Sequence, residues 1–189
     1  MSSSNTSSSA VSQPIAVLSA SRTPMGGMMG SLSGASATQL GATAIRAAMI
    51  KSGLNNDQID EVLMGSVLTA GVGQAPARQA ALGAGLDRSS ACTTINKVCG
   101  SAMKAVMMAA NALRAGQSKA IVAGGMESMS RAPYLIPQGR QGYRFGHAQM
   151  LDHMQYDGLQ DAYQGTAMGV FAETCAKKYN FSREDQDAY

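Results

Sequence analysis

The chain has 189 residues, 45% of them hydrophobic, and a formal net charge of +3 from 15 basic and 12 acidic side chains. No block of like charges occurs, which excludes a polybasic arm for nucleic acid or an anionic lipid surface. An aromatic content of 5% without tryptophan excludes a stacking platform for single strands, and no apolar run is long enough to span a bilayer as a helix.

Three cysteines, Cys92, Cys99 and Cys175, form no Cys-x-x-Cys pair and leave one over, so a disulfide scaffold is not expected and a reducing compartment is. With only His147 and His153 beside them, no metal site of the usual spacing is expected either. The first ten residues are rich in serine, and no basic residue precedes Arg22. Neither a secretory nor a mitochondrial leader fits that pattern, so residues 1–12 read as a disordered tail and the expected location is cytoplasmic. The fourteen methionines read as core filler.

In chain order, Pro14–Ala20 predicts a first strand that ends in the turn Arg22-Thr-Pro-Met-Gly26. Leu40, Ala44, Ile45, Ala48 and Met49 fall at helical spacing, with Gly53 as the stop. Asn56-Asp57 suits the cap of a short helical turn, and Glu61–Leu68 predicts a strand. Pro76 suits the first turn of a helix towards Leu82. Cys92–Asn96 is short and β-branched and predicts another strand. A helix follows from about Gly100, with Ala102, Met103, Val106, Ala110 and Leu113 on one face and Gly116 at its end. Lys119–Gly125 predicts a further strand. Strands alternating with helices indicate an α/β domain over residues 13–125, built on a largely parallel, buried sheet.

From residue 126 the periodicity is poor, and Pro133, Pro137, both histidines and Tyr134, Tyr143, Tyr156 and Tyr163 fall in a loop-rich stretch. Its aromatics and methionines suit assembly contacts. Helices are expected again over Gly169–Tyr179 and after the cap Ser182-x-x-Asp185.

Asn96-Lys-Val-Cys-Gly-Ser-Ala-Met-Lys104 carries the chemistry. A cysteine at a strand-to-helix junction meets unpaired N–H groups and the positive end of the helix dipole, both of which stabilise a thiolate. Gly100 and Ser101 leave room for a carbonyl, and their N–H groups are candidates for holding a developing oxyanion. A cysteine in such a place can also be a small buried residue with no chemical task, a reading the position alone leaves open.

Four collinear blocks closely resemble the thiolase family: Ser21-Arg-Thr-Pro-Met-Gly26; Ile95-Asn-Lys-Val-Cys-Gly-Ser-Ala-Met-Lys-Ala105; Ala123-Gly-Gly-Met-Glu-Ser-Met-Ser130; and Met168-Gly-Val-Phe-Ala-Glu173 with Ser182-Arg-Glu-Asp-Gln-Asp-Ala188. The resemblance runs from about Pro14 to Tyr189. It implies a mixed sheet with helices on both faces, the N-terminal half of a duplicated α-β-α-β-α layered fold, with residues 126–189 forming part of a loop domain.

It also implies acyl transfer between acetyl-CoA, 3-ketoacyl-CoA and CoA, with Cys99 as the acyl-thioester nucleophile and Met168 bordering the acyl pocket. CoA is then a substrate, and no separate cofactor or metal is implied. The family's Gly-His-Pro, Asn-Glu-Ala and Cys-x-Gly-Gly-Gly motifs do not occur in residues 1–189. The resemblance therefore implies that a C-terminal half, on a separate or cleaved chain, completes the site, and that the enzyme is a homo-oligomer. A truncated, inactive unit and a ketoacyl synthase-type condensing enzyme are the alternatives. His147 and His153 match none of the missing motifs and read as surface or interface residues. Ala167 replaces a histidine found in many short-chain thiolases, and Ala102 replaces a common glycine.

Overall fold

The computed structural model describes residues 14–189, so the tail expected at 1–12 lies outside the described residues. Its centre is strand β1, Glu61–Gly65, in which Val62, Leu63 and Met64 are buried. A strand with no polar alternation must be covered on both faces, and that is how this one is used. Strands β2 (Ala91–Ile95) and β3 (Ile121–Gly125) pair with it in parallel on either side, in the order β2-β1-β3, so that Gly65 lies opposite both Ile95 and Gly125.

Helices α1 (Ala37–Ser52) and α2 (Pro76–Ala84) cover one face, and α3 (Ser101–Arg114) covers the other. Val62 and Met64 join Ala42, Ile45, Ala80 and Ala81 in the first core; Leu63 meets Ala105 and Ala109 in the second. Burying each valine, leucine, isoleucine or methionine among them contributes about 1.5–3 kcal/mol, and each alanine methyl less than about 1 kcal/mol, one CH2 group's worth. The expected α/β architecture, a parallel sheet with helices on both faces, is the observed one.

The helix ends follow from local chemistry. Ser36 and Gln39 form a reciprocal capping box at α1, which stops at Gly53 with φ 72°. Pro76 occupies the first turn of α2, and Gly85 ends it with φ 97°. Gly53 and Pro76 were legible because each suits the backbone conformation that its helix end requires.

Two expectations need correction. Pro14–Ala20 forms no strand: Val17 is 85% exposed, and the segment lies beside α1, where the Ser19 hydroxyl donates to the Ala48 carbonyl at 2.8 Å. Its apolar residues have the right composition, but neither sheet edge pairs with it. The strand expected over Glu61–Leu68 stops at Gly65, because the Val67 and Leu68 amides donate to the Glu127 carboxylate at 2.8 and 3.3 Å rather than to a ladder. On α3 the buried residues are Ser101, Ala105 and Ala109, while Met103 is 71% exposed and Val106 and Met107 are also exposed.

The reason for that helix face is steric. A Cβ on Gly65 would stand 2.7 Å from the Ala102 amide nitrogen, and one on Gly125 would stand 2.8 Å from Ala102 Cβ. At such a separation only small residues fit between helix and sheet, so the bulkier apolar side chains point outward.

Beyond β3, Met126 is buried, and its sulfur fills the space a side chain on Gly41 would need. Strands β4 (Tyr134–Leu135) and β5 (Leu151–Asp152) pair antiparallel, and a π-helical turn spans Met154–Leu159. Helix α4 (Met168–Tyr179) has no buried residue, and α5 (Arg183–Ala188) is capped by Ser182 and Asp185. Among the described residues, no helix is long and apolar enough to cross a membrane.

Two measurements test this packing. Gly65→Ala should destabilise the fold by about 1–3 kcal/mol, because the added methyl meets helix backbone that cannot give way; an unchanged urea midpoint would refute the close approach. Asp60, just before β1, accepts the Lys119 and Ala120 amides at 2.6 and 3.0 Å, and these bonds hold its carboxyl below the usual carboxylate range against a small opposing desolvation. A depressed folded value means stability that is present above the ordinary carboxylate range and lost as pH falls through the lower folded value. Asp60→Asn should flatten that acid limb in urea midpoints taken across pH, and an unaltered limb would count against it.

Candidate active site

Strand β2 runs into Asn96-Lys-Val-Cys-Gly100, and α3 begins one residue later. Side chains hold this turn. Asn96 Oδ1 accepts the Val98 amide at 2.9 Å; the Ser101 hydroxyl accepts the Lys97 amide at 2.8 Å and donates to the Val98 carbonyl at 2.6 Å. Ser101 is buried, so both of its bonds are made away from water. Val98 sits at φ 47°, a left-handed conformation rare for a β-branched residue that costs on the order of 1–3 kcal/mol. The strain falls on the residue before Cys99.

Cys99 is exposed, and Gly100, the N-cap of α3, carries no side-chain cap. The positive end of the helix dipole therefore meets the thiol with no competing side-chain acceptor at the helix start. One expectation fails at this point. The Gly100 amide donates to the Lys97 carbonyl at 3.1 Å and the Ser101 amide to the Val98 carbonyl at 3.1 Å, so both serve the turn instead of an oxyanion. A tight turn consumes its own N–H groups, which the motif alone does not reveal.

Beside the turn, an open cavity of about 560 Å³ is lined by Ser66 and Thr69 after β1, by Pro76 at the start of α2, by Cys92 and Thr94 of β2, and by Asn96. Asn96 thus belongs both to the cavity wall and to the turn that carries Cys99. The Ser66 hydroxyl is buried without a partner, while Thr94 Oγ1 accepts the Ala77 amide at the start of α2 at 3.0 Å. Sequence reading passed over Ser66 and Asn96 because a lone serine or asparagine carries no signal until the strand ends are brought together.

The other thiols differ. Cys92 is half-buried in the first core, and burial pushes its thiol up, with Arg78 opposing. Cys175 is exposed, and no residue of α4 is buried among the described residues. Met168, the first residue of α4, is also exposed. His147 is exposed. His153 is not the surface residue expected: it is 5% exposed, with its ring between Asp157 and the Ala70 amide.

The chain thus combines a parallel α/β layer with an accessible cysteine on a strained strand-to-helix turn. The chain belongs to the thiolase family, whose model, "Thiolase, N-terminal domain", matches residues 15–189. It is 50% identical over 185 residues to acetyl-CoA acetyltransferase 2 of Arabidopsis thaliana, covering 98% of this chain and 46% of that protein. It is 50% identical over 177 residues to the acetyl-CoA acetyltransferase of Pseudomonas aeruginosa, covering 94% and 45%. For the acetyl-CoA acetyltransferase of Schizosaccharomyces pombe the figures are 47% over 179 residues, covering 95% and 45%. The chain spans less than half the length of these relatives.

Accessibility does not separate Cys99 from Cys175, but helix position does: Cys99 precedes the first turn of α3, whereas Cys175 lies in the second half of α4. Limiting iodoacetamide followed by peptide mass mapping should label Cys99 first, Cys175 more slowly and Cys92 least. Labelling of Cys175 ahead of Cys99 would count against a helix-start effect.

Proposed function

We propose that this chain is the nucleophile-bearing half of a thiolase that transfers acyl groups between CoA thioesters, with Cys99 as the acyl carrier. The observation that carries the reading is the Asn96–Ser101 turn, which holds an exposed thiol at the start of α3 by side-chain bonds and a strained Val98. The names of the relatives, all acetyl-CoA acetyltransferases, support the substrate class.

Cys99 Sγ attacks the carbonyl carbon of an acyl-CoA; the new S–C bond replaces the bond to CoA sulfur, and CoA leaves as the thiol with the proton from Cys99. Acetyl-CoA then loses an α-proton to a base, its carbanion attacks the acyl carbon, and the Cys99 thiol is released as the 3-ketoacyl-CoA forms. The reverse sequence is thiolysis. Thiolate is both a strong nucleophile and a good leaving group, which suits it to both halves. CoA is substrate throughout, and no further cofactor enters.

The base for the α-proton comes from elsewhere. His147 is exposed, and both His153 ring nitrogens are engaged. The proposal therefore assigns acid–base work to a C-terminal thiolase half, whether on a separate chain, a cleaved one or a continuation of this one. That half would cover the outward Met103, Val106 and Met107 of α3, an apolar surface that otherwise faces water. Met168 borders the acyl pocket once α4 is docked. Homo-oligomerisation through the loop-rich stretch is supported by exposed Tyr134, Phe145 and Tyr163, and the working compartment is the cytosol.

Acetoacetyl-CoA cleavage by free CoA tests this, using the chain with and without a C-terminal thiolase half. Activity should require both, since each missing acid or base contributes about 10²–10⁴-fold. Cys99→Ser should lower the assembled rate by about 10⁴-fold or more and abolish the acetylated Cys99 peptide seen by mass after acetyl-CoA treatment. Turnover by the 189-residue chain alone at the assembled rate, or full activity of the serine variant, would overturn it.

A further inference from the structure

Neither ring nitrogen of His153 is free. Nε2 lies 3.3 Å from the Ala70 amide nitrogen, and an amide N–H only donates, so Nε2 is the acceptor and carries no proton. Nδ1 then bears the proton and donates it to the Asp157 carboxylate at 2.6 Å. The His153 amide itself donates to the Pro133 carbonyl at 3.2 Å. The imidazole is 7% exposed and the Asp157 side chain 45%, so a solvated carboxylate orients a ring that is shut away from water.

Ala70 belongs to the turn between β1 and α2, residues 66–75, which takes part in no ladder. Two side chains from the segment after β3 suspend it: Glu127 takes the Val67 and Leu68 amides, and His153 takes the Ala70 amide. Thr69 lies between those anchors and Ser66 just before them, and both line the cavity together with Thr94 and Asn96. Asn96 holds the Val98 amide, one residue before Cys99.

We propose that His153 is a positioning residue: with Asp157 fixing its tautomer, it pins the 66–75 turn against the loop-rich stretch after β3 and so sets the wall of the cavity beside the Cys99 turn. Its consequence for catalysis rests on the reading of Cys99 as acyl carrier; the pin itself does not.

Hydrogen exchange of the 189-residue chain, resolved amide by amide, tests the pin, with Cys99 alkylation rate as the second readout. His153→Phe keeps a ring's bulk and loses both bonds; the Ala70 amide should exchange about tenfold faster, the factor one hydrogen bond sustains, while Val62–Met64 in β1 keep their protection. The Cys99 rate should shift with it. His153→Gln retains one acceptor and one donor and should restore both readouts. Where His153→Phe fails to fold, seen as lost protection in β1, Asp157→Ala on the more exposed partner takes its place and should loosen Ala70 in the same direction. Unchanged Ala70 exchange in a folded variant overturns the pin, as does equal loosening by Phe and Gln. A loosened turn with an unchanged Cys99 rate overturns the positioning role. Absence of acetylated Cys99 in the unaltered chain with its C-terminal half would count against the acyl-carrier reading alone.

Discussion

The fold turns on one close approach. The first turn of α3 lies so near the carboxyl ends of β1 and β3 that no side chain fits on Gly65 or Gly125. That contact explains why the inner face of α3 is Ser101, Ala105 and Ala109, and why the larger apolar residues of the helix point outward. It also places Cys99 at the edge of the sheet instead of beneath it. Ser101 serves twice, filling the narrow gap and using its hydroxyl to tie Lys97 to Val98. Packing and presentation of the thiol are therefore one constraint: widening the gap to admit a bulkier residue would move the turn that carries Cys99.

A second level of organisation joins the region after β3 back to the turn after β1. Met126 closes the first core over Gly41, Glu127 takes two amides of the turn, and His153 takes a third. Backbone groups that leave a ladder need partners, and each of these finds a side chain from the same distant segment. The stretch after β3 is thus part of what shapes the cavity, and not merely a cover laid over a finished domain.

The parts legible in the sequence were those with a local cause. Gly53, Pro76 and Ser182 with Asp185 announce helix ends, and the run Val62–Met64 announces a strand buried on both faces. Cys99 stood out through its place between strand and helix and through the blocks that resemble thiolases. What stayed hidden depends on contacts distant in sequence. Pro14–Ala20 has strand composition but no sheet edge to join. On α3 the residues that meet the sheet, Ser101, Ala105 and Ala109, are selected by the size of the gap and not by hydrophobicity. His153 and Asp157 form an i,i+4 pair visible in principle, but its purpose lies at Ala70, 83 residues away. Cys175 is exposed on a helix with no buried residue, and no periodicity reports that.

Helix α4 has no buried residue, yet it is only 12 residues long, below the length at which an isolated helix is stable in water. What holds it is concentrated at its far end: Asn180 closes it in the left-handed conformation, its amide reaching the Ala176 and Lys177 carbonyls, and Tyr179 stacks with Phe181 at 5.9 Å. The near end, with Met168, Val170 and Phe171, has no such support. Whatever surface receives those side chains must also supply the ordering free energy of the helix, so docking and helix formation are a single coupled equilibrium. The affinity of α4 for its seat is then governed as much by its own helix propensity as by the contacts it makes. Substitutions on its solvent side, far from any interface, would tune assembly without touching it.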